Sequence, residues 1–112
     1  MSYQRALEAA GARIIAFEEF GSYQGTWVAR VEYGGETGWV IGSYGSCSGC
    51  DAFEAEFGWS DPDEDELAAF GKTYLDGLLN QEQAEKHAGE YAEWSMEDAK
   101  ALKFVRAHAE AR

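Results

Sequence analysis

Bases are scarce in this chain. Nine Lys and Arg stand against 21 Asp and Glu, a formal net charge of −12 over 112 residues. A field of that sign repels nucleic acid and anionic lipid. It argues against direct DNA or RNA binding, whose affinity rests on neutralising phosphates, and it makes a basic protein the natural partner. Proline occurs once, at Pro62, and there are two cysteines and two histidines. No catalytic constellation is complete on so few imidazoles and thiols.

Long apolar runs are missing as well. Arg5, Glu8, Arg13, Glu18 and Glu19 interrupt the first twenty residues, so no secretory leader is expected. Nothing approaches the roughly 20 apolar residues of a membrane span. With two cysteines and no leader, a reducing cytoplasm is the expected compartment. Internal repeats and low-complexity tracts are absent too.

Apolar side chains are not lacking. They make up 46% of the chain, and aromatics 14%, including four Trp. That is too much buryable surface for a disordered acidic tail, so one folded domain over 1–112 is expected.

The charge is concentrated. Residues 1–50 and 72–112 each carry −2, leaving −8 on the twenty-one between, where eight acids meet no Lys or Arg. The organising stretch is Trp39–Glu66, which opens as an apolar strand, passes a Gly/Ser/Cys turn and ends in the acidic run.

Ser2–Ala10 reads as a short helix, with Ser2 able to cap it, Leu7 as its apolar anchor at the edge of the core, and Gly11 just past its end. Arg13–Phe20 is a strand. In Gly25–Tyr33, Trp27, Ala29, Val31 and Tyr33 share one face, and Val28, Arg30 and Glu32 the other. Gly34-Gly35 signals a primed turn, and Thr37–Ser43 returns antiparallel. For 52–57 the pattern leaves helix and strand open, because Phe53 and Phe57 fit the first and Phe53, Ala55 and Phe57 the second.

Asp61-Pro62-Asp63-Glu64 reads as a helix start, with Asp61 capping, and the helix is expected to run to about Leu79. Gly71 and Gly77 weaken it. Gln81–Trp94 is a second helix with Ala84, His87, Ala88, Tyr91 and Trp94 inward. Ser95 caps a third. The expected class is α+β: a three-stranded antiparallel meander with a short N-terminal helix and about three C-terminal helices.

The candidate partner-binding residues are Asp51, Glu54, Glu56, Trp59, Asp61, Asp63, Glu64, Asp65 and Glu66. Carboxylates three or four apart on a helix lie about 5–6 Å from one another, so they can present fixed negative charge without phosphate. The plainer reading uses the same residues: acids in a first helical turn are stabilised by the dipole, by about 0.3–1 kcal/mol each, and the rest aid solubility. A calcium loop fails, since Glu66 stands where it needs glycine and Lys72 where it needs glutamate.

Cys47-Ser48-Gly49-Cys50 is half of a zinc site. His87 is the candidate third ligand, which makes a small zinc-stabilised module the alternative function. A thiol redox role is opposed by the acids after Cys50 and by the lack of a βαβ pattern. The plain alternative is a tight turn with two small semi-buried thiols. His87 reads as a packed histidine and His108 as solvated. The glycines of GSYGSCSG precede no Lys-Ser/Thr pair, so no phosphate loop is present. Trp27, Tyr33, Trp39 and Tyr44 read as sheet core and not as a base-stacking platform.

The segment Tyr23–Gly58, with its GSYGSCSGCD core, resembles short bacteriophage- and prophage-encoded proteins of uncharacterised activity. That resemblance implies a bacterial host cytoplasm and an inhibitor of a host nucleic-acid-handling system. In size and charge the chain is similar to anti-CRISPR and other DNA-mimic proteins, although it matches no motif of theirs. The expectation is a small, non-enzymatic, cofactor-free binding protein for a basic partner, possessing no direct affinity for nucleic acid or membrane.

Overall fold

A computed structural model of the chain describes residues 2–21, 24–45, 52–58, 61–90 and 92–112, without the side chains of Ser2 and Glu54. The elements are α1 (Ser2–Ala9), β1 (Arg13–Gly21), β2 (Gly25–Tyr33), β3 (Glu36–Tyr44), α2 (Ala52–Phe57), α3 (Glu64–Leu75), α4 (Gln81–Gly89) and α5 (Met96–Ala107). The class is α+β. The strands form an antiparallel sheet in the order β1-β2-β3.

Gly34 and Gly35 both take positive φ, 61° and 83°, as a type I′ hairpin turn demands. They fix the register in which Tyr33 faces Glu36 and Ala29 faces Val40. Alternation then sorts the side chains. Trp27, Ala29, Val31 and Val40 pack with Tyr3, Leu7 and Leu75 in one core. Val28, Trp39 and Phe20 pack with Ala84, Ala88, Ala101 and Val105 in another.

Both faces of the sheet are therefore covered. Helices α1, α2 and α3 cover one face, and α4 and α5 the other. Residues 27–31 of the central strand are all buried, and Arg30 alone interrupts the apolar run.

Helix α1 lies deeper than its sequence suggested. Tyr3, Ala6 and Leu7 are 2%, 1% and 1% exposed, so this helix is core and not edge. The reason is Gly71. A Cβ there would come within 2.0 Å of the Ala6 carbonyl oxygen, so α3 can lie directly on α1 only because position 71 has no side chain. The glycine that weakens α3 as a helix is what seats it.

The helix ends are shifted from expectation. Helix α3 starts two residues later than Asp61 implied. Asp63 is the N-cap, and it forms a capping box with Glu66. The helix stops at Leu75 instead of Leu79. Leu78 and Leu79 turn along the outer edge of β3, where Leu79 and Trp39 exchange both backbone hydrogen bonds, at 2.8 and 2.9 Å. That bridge carries the chain from one face of the sheet to the other and shields an otherwise open edge.

Helix α4 ends at Gly89, short of Trp94, and Trp94 is 83% exposed instead of inward. His87 is exposed, since the buried positions of α4 are Ala84 and Ala88. Ser95 caps α5 as expected, accepting from the Asp98 backbone N–H. Residues 52–57 are helical.

Candidate partner-binding surface

A six-residue helix such as α2 does not hold itself together. Aromatic packing holds it: the Phe53 ring lies 4.8 Å from Phe57 and 5.4 Å from Phe70, and Phe57 lies 5.5 Å from Phe70. The chain of rings continues inward from Phe70 to Tyr74 at 5.5 Å and from Tyr74 to Trp27 at 5.2 Å. The acidic surface thus stands on rings that reach the sheet.

Of the nine candidate residues, six are described with their side chains. Glu56, Asp61, Asp63, Glu64, Asp65 and Glu66 are all exposed. Asp51 and Trp59 lie outside the described residues, as does the Glu54 side chain. Among the described residues the ion pairs are Arg13–Glu32, Lys72–Asp76 and Arg106–Glu85, and none involves these six. Lys72, the one base on α3, is bound to both carboxylate oxygens of Asp76 at 2.9 and 3.2 Å. That contact raises its pKa, through the hydrogen bond first and the Asp76 charge second.

The first-turn acids do not form a row. Successive helical positions turn by about 100°, so Glu64, Asp65 and Glu66 ring the end of α3. Two of the acids are also committed locally. Asp63 Oδ1 accepts from the Glu66 N–H at 2.8 Å, and Glu66 Oε1 accepts from the Asp63 N–H at 3.3 Å.

The packing brings Glu56 and Glu66 together. They rim a groove of about 470 Å³ between α2 and α3, whose remaining lining is Phe57, Ala69, Phe70 and Thr73. In the sequence Phe57 stands at an i, i+4 spacing from Phe53 and Phe70 on the apolar stripe of the helix after Pro62, and nothing marked Ala69 or Thr73. The groove exists only once two helices meet.

A second, polar cleft of about 400 Å³ lies where the open ends of β2 and β3 meet the start of α5. Thr26 Oγ1 donates to Asp98 Oδ1 at 3.1 Å across it. Burial first, then the charges of Glu19 and Glu97, raises the pKa of the Tyr44 hydroxyl there. Nearby, Glu19 Oε2 and Trp27 Nε1 are buried and have no hydrogen-bond partner among the described residues.

Cys47 and Cys50 lie outside the described residues. Among the described residues no group of three or more His, Cys, Asp or Glu is placed to hold a metal ion. His108 sets its Nδ1 3.0 Å from the Phe104 carbonyl oxygen, and its ring lies 4.2 Å from that of Phe104. Trp27, Trp39 and Tyr44 are buried, as sheet core. No described helix is long and apolar enough to cross a membrane. Comparison with protein-family models, curated proteins and solved structures gives no match to this chain.

Proposed function

We propose that this protein is a non-enzymatic binding protein that offers the acidic α2–α3 surface to a basic partner, acting as an inhibitor that occupies a nucleic-acid-handling surface. The observation that carries this reading is the set Glu56, Asp61, Glu64 and Asp65, exposed and free of any described ion pair. Glu56, Glu64 and Asp65 stand on helices whose aromatic anchoring limits movement on binding, and Asp61 lies two residues before the α3 cap. Preorganised charge of one sign raises association rate and rejects partners of like charge, more than it adds raw affinity.

The test is affinity capture from a bacterial lysate at low and at high salt. A basic nucleic-acid-binding protein retained at low salt and released at high salt is the expected result. Capture that is indifferent to salt, or dominated by acidic proteins, contradicts the reading.

A further inference from the structure

We propose that the α2–α3 groove is the specificity pocket of this surface, taking an apolar side chain from a Lys/Arg-rich segment of the partner. The inference rests on the function proposed above and deepens it, by naming the chemistry the partner must carry. Exposed ion pairs contribute little each. Carboxylates around a helix end therefore do not by themselves select one basic protein among many.

Selectivity needs a shaped apolar contact, and the groove supplies one. Its floor is Phe57, which is buried, and Phe70, which is half-buried, with the small exposed Ala69 leaving the space open. Its volume, about 470 Å³, lies within the usual range for binding pockets. Glu56 stands on the α2 side and Glu66 on the α3 side, so an apolar side chain entering the groove has acids on either flank.

Charge complementarity fixes the occupant. An acidic segment, nucleic acid or an anionic membrane would meet like charge at Glu56 and Glu66. A second copy of this chain, itself at −12, would do the same. Even the exposed Trp94 and Met96 of a second copy are flanked by Glu93 and Glu97. A helical segment with apolar residues at i and i+4 among lysines and arginines fits, since such anchors are how a groove reads a helix.

The test uses two labelled Lys/Arg-rich peptides, one with leucine at i and i+4 and one with alanine at both, and fluorescence anisotropy at low salt. The leucine peptide should bind the wild-type protein at least about tenfold tighter than the alanine peptide. Ala69→Glu then separates the two terms, because it fills the groove while adding negative charge. It should abolish the leucine preference and leave the alanine peptide bound at least as tightly as before.

Equal binding of the two peptides, or an undiminished leucine preference in A69E, overturns the groove and leaves the electrostatic reading standing. If instead Glu56→Gln, Asp61→Asn, Glu64→Gln and Asp65→Asn together change neither peptide's affinity, the electrostatic reading itself falls. Equal binding of an Asp/Glu-rich peptide with the same leucines, or self-association that A69E removes, assigns the groove to another occupant and overturns the proposal. So does the failure of both basic peptides to bind.

Discussion

Asp63 and Glu66 hold each other's backbone: each carboxylate accepts the N–H of the other residue, at 2.8 and 3.3 Å. The acidic run is thus two populations. One pair builds the end of α3, while Glu56, Asp61, Glu64 and Asp65 accept no described bond that would explain their presence. Asp63→Ala should cost about 1 kcal/mol of stability, the usual worth of a cap, whereas Glu64→Gln should lie within about 0.5 kcal/mol of wild type. Urea denaturation of the two variants measures the difference. Equal losses would mean that the capping box is not what fixes the start of α3.

Gly71→Ala and Gly89→Ala should move stability in opposite directions. Gly71 lies inside α3, where alanine is favoured by about 1 kcal/mol, and Gly89 is the last residue of α4, where the same preference is smaller. At Gly89 the added Cβ would meet Leu102 Cδ2 at an ordinary 3.5 Å, so the substitution should stabilise. At Gly71 it would strike the Ala6 carbonyl. The resulting overpacking should cost roughly 1–3 kcal/mol and push α1 off α3. Thermal melts of the two variants decide the signs.

The C-terminus is latched by Arg30, the only base among the described buried residues. Its Nε donates to the Ala111 carbonyl at 3.2 Å and its Nη2 to the Ala109 carbonyl at 3.1 Å, with Cζ 5.0 Å from the Trp39 ring centroid. Lysine cannot reproduce that fork over an aromatic face. Arg30→Lys, and separately removal of residues 109–112, should each lose about 1–3 kcal/mol. Because each removes the same contact, combining them should lose much less than the sum. Additive losses would show that Arg30 and the tail act independently.

Acid should loosen the α4–α5 pair. A hydrogen bond from Gln81, then the one from Arg106, lowers the Glu85 carboxyl below its ordinary 4.5. Glu85 therefore stabilises the fold above pH 4.5 and loses that contribution as pH falls through its lowered value. Glu85→Gln should flatten the acid side of the stability profile and leave the shape near neutrality unchanged. An unaltered acid limb in that variant would detach Glu85 from the effect.

What could be read in advance follows physical lines. The β2–β3 hairpin was legible because alternation and Gly34-Gly35 both act within a few residues. Ser95 was legible as a cap for the same reason. The sequence places the start of α3 two residues early because Asp61 with Glu64 and Asp63 with Glu66 offer the same cap spacing, and only the second pair forms. His87 sits one position from the buried Ala88, a rotation of about 100° that carries it from core to solvent. The burial of Tyr3, the role of Gly71 and the α2–α3 groove depend on which helix meets which, and no local pattern encodes that.

Net charge and charge placement are separable, and that separation is the most direct test. One variant neutralises Glu56, Asp61, Glu64 and Asp65. A control neutralises Glu8, Glu36, Glu82 and Glu93, which are also exposed and lie elsewhere. Both carry the same total charge and both leave the α3 cap intact. Used side by side as bait in the low-salt lysate capture, the control should retain the basic partner and the site variant should lose it. Equal retention by the two, or equal loss, would contradict the claim that this surface, and not the overall charge, meets the partner.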